Sequence, residues 1–142
     1  MRQAFIIATA IGALLCATPV GAEVIHYAAS LNGAAETPPN ISTAAGTAKI
    51  NLDTTAKTVS WTLTYSGLSG PAVAAHFHGP APAGKAAGVE VPIIAPFASP
   101  IAGTASLSDA QAAELRAGQW YVNVHTAAHP AGEIRGQVLP AN

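Results

Sequence analysis

Four histidines carry the clearest capacity for chemistry in this chain. His76 and His78 form an H-x-H pair, His125 and His129 an H-x-x-x-H pair, and each pair lies beside a loop rich in Gly and Pro. On an extended strand, alternate side chains share a face, so His76 and His78 point the same way, about 6.5–7 Å apart along the backbone. Phe77 then points to the other side with Val73 and Ala75. Two imidazoles so spaced converge on a single ion, each giving one nitrogen at about 2.0–2.1 Å if the ion is zinc-sized. His125 ends a later strand, QWYVNVHT, on the face opposite Trp120, and His129 follows in the loop TAAHPAG, close enough to turn back. The four together make a two-plus-two set for a mononuclear metal site. Imidazole suits copper, zinc, iron and nickel, and the affinity order of divalent ions puts copper(II) first, with zinc the second choice. Four neutral ligands leave the ion's charge uncompensated, so Glu133 or Glu90 is expected near the ion or on it. The competing reading makes the same histidines polar organisers of loops.

Other polar residues have plainer roles open to them. Asn123, one position inside the site face, is placed to orient His125 or to bond a crossing loop. Glu133 and Arg135 share a face and are expected to pair, or Arg135 to hold an anion beside the metal. His26 stands apart in the first strand, and Asn32, Glu36 and Pro38-Pro39 shape a loop. Trp61 and Trp120 alternate with polar neighbours, which makes them core residues. The chain has no nucleophile elbow, zincin helix or phosphate-binding glycine motif.

The elements that must position these residues are strands. Val59, Trp61, Leu63 and Tyr65 alternate with Thr58, Ser60, Thr62 and Thr64, the period-2 pattern of a half-buried sheet. Similar patterns run through 24–31, 46–52, 73–78, 103–107, 119–126 and 133–139. Residues 89–94 carry Pro92, which confines them to an edge. Residues 53–57 read as a hairpin connection and 79–88 as a loop with little to pack. One helix is expected: Ser108 and Gln111 form a capping box, and Gly118 stops it. Seven or eight short strands with one late helix predict a mainly β fold, an antiparallel sandwich or flattened barrel.

The first 22 residues read as a secretory signal. Arg2 supplies the positive end, Phe5 to Ala17 the apolar run, and Val20-Gly21-Ala22 the cleavage site. The apolar run stops short of the roughly 20 residues that a spanning helix needs. Residues 23–142 then make one domain, periplasmic or secreted, with no membrane attachment after processing. Cys16, the chain's one cysteine, leaves with the signal. Thiolate-based zinc, iron–sulfur and blue-copper centres are thereby excluded. Only 9% of residues are charged and seven carboxylates face six Lys and Arg, which gives no footing for nucleic acid or an anionic membrane.

Three segments give the chain a resemblance: LNGAAETPP from Leu31, GLSGPAVAAHFHGPAPAG around His76 and His78, and YVNVHTAAHPAGEIRGQV from Tyr121 to Val138. In these it resembles the CHRD (chordin-type) domain family, over nearly all of residues 23–142. The resemblance implies a secreted or surface module, in bacteria often alone behind a signal peptide. More distantly, the chain is similar to copper/zinc superoxide dismutase in its Greek-key sandwich plan and its strand-borne H-x-H followed by a later histidine strand. That likeness implies His76, His78 and His125 as copper ligands with His129 as the fourth. The dismutase pattern lacks its cysteine pair and its separate zinc cluster here, which weighs against enzyme activity. Three functions follow as expectations: a copper-handling or electron-transfer protein, a dismutase-like redox enzyme, and a metal-free extracellular binding module.

Overall fold

The structure, a computed structural model, describes Gly21 and residues 23–142. The export signal read over residues 1–22, with Cys16, falls outside the described residues apart from Gly21.

Alternation of apolar and polar side chains builds nearly every element. In β1 (Val24–Asn32) the buried positions are Tyr27, Ala29 and Leu31. β2 (Ala45–Asp53) buries Ala48, Ile50 and Leu52, and β3 (Thr58–Ser66) buries Val59, Trp61 and Leu63. β4 (Ala72–His78) buries Ala75 and Phe77. The chain continues through β5 (Val89–Ile93), β6 (Ile101–Ser106), α1 (Asp109–Arg116), β7 (Tyr121–Thr126), β8 (Ile134–Gln137) and a two-residue β9 (Leu139–Pro140). All pairings are antiparallel, in the order β5-β4-β7-β8-β1-β2-β3-β6, with β9 on β1. The sheet curls into a nearly closed barrel or sandwich, as its sequence predicts, and β5 with its Pro92 lies at one edge.

The inner faces meet in a single apolar cluster, in which Phe77 lies edge-on to Trp61 at 5.2 Å and tilted against Trp120 at 6.0 Å. Trp120 and Phe77 are fully buried. Burial of side chains this large stabilises the fold by about 1.5–3 kcal/mol each. Phe77 therefore clamps the strand that carries the H-x-H pair. α1 begins at the expected capping box: Ser108 Oγ accepts from the Gln111 amide, and Gln111 Oε1 accepts from the Ser108 amide. Its Leu115 is buried in the core, which holds a helix too short to persist alone.

Three expectations need adjustment. Val73 does not join Ala75 and Phe77 inside; the register shifts between Ala72 and Ala74, and Val73 is left exposed. The strand expected at 103–107 runs instead from Ile101 to Ser106, paired with β3. The final strand breaks at Val138, whose amide turns to Trp120 O.

The larger departure is a second, polar layer. β7 is buried at every position, and on the outward side of β8 Arg135 is buried as well. Residues 33–44 and the loop 79–88 fold over this outer face. Asn40 Nδ2 donates to the carbonyls of Gly132 and Glu133, and Arg135 donates to Thr37 Oγ1 and to Lys85 O. Asn123, His125, Thr126, Glu133 and Arg135 all lie beneath this cover. Gly136 lets β8 approach β1, because a Cβ there would stand 2.4 Å from Ser30 O.

Candidate metal centre

The polar layer brings together residues that lie far apart in sequence. β4 and β7 pair with His76 opposite Asn123 and Ala74 opposite His125, so His76, His78, Asn123 and His125 share one face. One nitrogen from each of His76, His78 and His125 forms a group whose members all lie within 4.8 Å of one another. His76 Nδ1 is 3.1 Å from His125 Nε2. The rings are steeply inclined to one another: His76 makes an angle of 85° with His78 and 69° with His125. Edges rather than faces thus meet at the centre.

Backbone carbonyls fix which nitrogens face inward. His125 Nδ1–H donates to Pro130 O at 3.0 Å, and His78 Nδ1–H donates to Ala87 O at 3.1 Å. A carbonyl only accepts, so the proton of each neutral ring stays on Nδ1 and the lone pair of Nε2 turns to the centre. Metal-ligating histidines are commonly oriented in this way, through a hydrogen bond from the second ring nitrogen. Burial lowers the pKa of His76, and the charges of His125 and His78 lower it further. Burial also lowers that of His125, against the Pro130 hydrogen bond and with the help of His78. Both rings are thus biased toward the neutral form that binds metal.

The centre rests on supports that the sequence did not single out. His78 stacks on Tyr121 at 4.8 Å with planes 3° apart, and the Arg135 guanidinium lies over the Tyr121 ring, 3.4 Å from its centre. Tyr121 Oη accepts from the Ala87 amide, which ties the ring to the same loop that orients His78. The loop 79–88, expected to pack little, is in fact held by Tyr121, His78 and Arg135. Arg135 is engaged by these contacts and does not pair with Glu133.

The remaining candidates fall elsewhere. His129 stands outside the three-histidine group, in a turn where its amide donates to Thr126 O and its carbonyl accepts from Gly132. Glu133, expected near the ion, accepts four hydrogen bonds, from Ser42 Oγ, the Ser69 amide, Ser69 Oγ and Thr126 Oγ1, at 2.6–2.8 Å. Burial works against its charge, yet these donors bring its pKa down to about 2. It pins the loops at the end of the sheet. Glu90 accepts from Gln111 Nε2 on the far side of the helix cap, and His26 bonds Asn51 on an exposed face. Asn123 does face His125, as its position suggested, and His78 as well; its Oδ1 is 3.0 Å from each Nε2.

Three neutral imidazoles, two of them held with the Nε2 lone pair inward, fit a divalent first-row ion. No helix among the described residues is long and apolar enough to cross a membrane. Comparison with curated proteins and with solved structures finds no match. The CHRD domain family matches residues 27–138, a span that includes both strands that carry the centre, β4 and β7, and the loops that cover it. The chain belongs to the CHRD domain family.

Proposed function

We propose that this protein is an exported metal-binding module whose centre holds one copper(II) ion through His76, His78 and His125, with a role in copper handling or electron transfer. The observation that carries the reading is the inward convergence of three imidazole nitrogens within 4.8 Å, two of them fixed by backbone carbonyls. Copper(II) is the first choice because it heads the divalent affinity order at nitrogen sites, with zinc second. Export is supported by the signal-like first 22 residues and by the family's extracellular character.

The chain's own residues account for the binding chemistry. In the metal-free state a proton between His76 Nδ1 and His125 Nε2 bridges their 3.1 Å separation. Binding requires that proton to move to His76 Nε2, a tautomer change without net proton release. The Tyr121 stack and the two carbonyl contacts keep His78 and His125 from turning away, so little ordering remains to be done when the ion arrives.

Calorimetric titration of the metal-free protein with copper(II) should give one equivalent bound, and electron paramagnetic resonance should show a single nitrogen-rich site. Sub-stoichiometric, heterogeneous uptake would favour the metal-free module instead, with the histidines serving only to organise loops.

A further inference from the structure

Asn123 is only 3% exposed, and its Oδ1 stands 3.0 Å from His78 Nε2 and 3.0 Å from His125 Nε2. Both nitrogens carry lone pairs, because the protons of their rings are committed to Ala87 O and Pro130 O. An amide oxygen is also an acceptor. Three electron-pair donors therefore converge with no hydrogen between them, an arrangement that costs energy unless a cation lies among them.

The direction of the Asn123 amide has an independent cause. Its nitrogen end is turned toward the buried Glu36 side chain, an acceptor whose Oε1 has no hydrogen-bond partner among the described residues. A carboxylate calls for the N–H₂ end, which leaves Oδ1 to the imidazoles. The spacing also suits a coordination shell. With metal–ligand distances of about 2.0–2.1 Å, neighbouring donors stand ~2.9 Å apart at right angles and ~3.3 Å apart at the tetrahedral angle. The two Oδ1–Nε2 separations of 3.0 Å and the His76–His125 separation of 3.1 Å fall in that interval, and the three nitrogens as a set lie within 4.8 Å of one another.

From this geometry we infer that Asn123 Oδ1 is a fourth donor to the ion, completing a shell of three nitrogens and one oxygen. The inference rests on the metal-binding reading above. It assigns to the carboxamide the place that sequence spacing suggested for His129, whose turn carries it outside the group.

The test uses the natural chain loaded with copper(II) and labelled with ¹³C at the side-chain carbonyl of asparagine. Pulsed electron paramagnetic resonance should detect a through-bond coupling between copper and that carbon. Asn123→Ala should abolish the coupling and weaken copper(II) binding by at least about tenfold, the scale on which even outer partners of a metal site act. Asn123→Asp should keep an oxygen on the ion and restore the affinity. Copper bound by imidazoles alone, with no through-bond ¹³C coupling in the natural chain, would overturn the assignment and leave Asn123 as an orienting residue, with the three-histidine reading intact. Failure of the natural chain to take up copper would remove both.

Discussion

Alanine at His125 should abolish stoichiometric copper(II) uptake, weakening binding by about 100-fold or more, the upper end of what even outer partners of a metal site contribute. His125 is the residue on which the centre turns. Its Nε2 neighbours both His76 Nδ1 and Asn123 Oδ1, and its Nδ1 is anchored to Pro130 O. Thermal denaturation reads the same effect. A ligand at 100 times its dissociation constant stabilises the native state by about 2.7 kcal/mol, which for a domain of this size raises Tm by about 10 °C. The natural protein should gain that increment with copper(II), and the His125→Ala protein should gain none. An equal rise in both would mean that copper binds elsewhere.

The pH dependence of the metal-free protein follows from the same rings. His76 and His125 titrate below the ordinary 6.5 in the folded state, because burial and their neighbours' charges oppose protonation. The unfolded chain takes up protons first, so their contribution to stability is complete above about 6.5 and declines as the pH falls toward the folded values. Bound metal competes with the same protons, and copper affinity should fall across the same window.

The second large effect concerns Glu133, which has no part in the chemistry. Its carboxylate is fully buried and accepts from Ser42, Ser69 and Thr126, joining the loops before β2 and β4 to the end of β7. A folded pKa of about 2 against an ordinary 4.5 corresponds to about 3 kcal/mol of stability. Because the folded value is the lower one, this stabilisation is present above pH 4.5 and is lost as the pH falls toward 2. Glu133→Ala leaves four donors without their acceptor and should cost about 3–5 kcal/mol at pH 7. That is a large part of the 5–15 kcal/mol typical of a whole domain. Urea denaturation at pH 7 and pH 3 checks both statements. The natural protein should lose stability between those values, and the variant should lose less over the same interval. A variant within 1 kcal/mol of the natural protein at pH 7 would contradict the pinning role.

The parts of this molecule that could be read from its sequence are those governed by local periodicity. Alternation in 58–65 placed Val59, Trp61 and Leu63 inside, and the two-residue spacing of His76 and His78 placed them on one face, because both depend only on the strand's own repeat. Ser108 and Gln111 announced the helix by contacts within one turn. His125 was legible as well, since the same alternation sets it against Trp120. The polar layer was not legible. Whether Glu133 meets a metal or a ring of hydroxyls depends on Ser42 and Ser69, 91 and 64 residues away, and no local pattern reports that. Arg135 looked like a partner for Glu133 by proximity in the chain, but its guanidinium is taken by Tyr121, Thr37 and Lys85 O. His129 shows the limit of proximity along the chain: it stands outside the group formed by His76, His78 and His125, in a turn at 126–129 closed by backbone hydrogen bonds that no spacing of histidines reports.

Three imidazole nitrogens converge between β4 and β7, and crystals grown with copper(II) show whether an ion sits among them. Anomalous scattering at the copper edge should show one dominant peak per chain, about 2.0 Å from a nitrogen of each of His76, His78 and His125. Peaks confined to other surface groups, with the three imidazoles still bonded to one another around an empty centre, would contradict the proposed site.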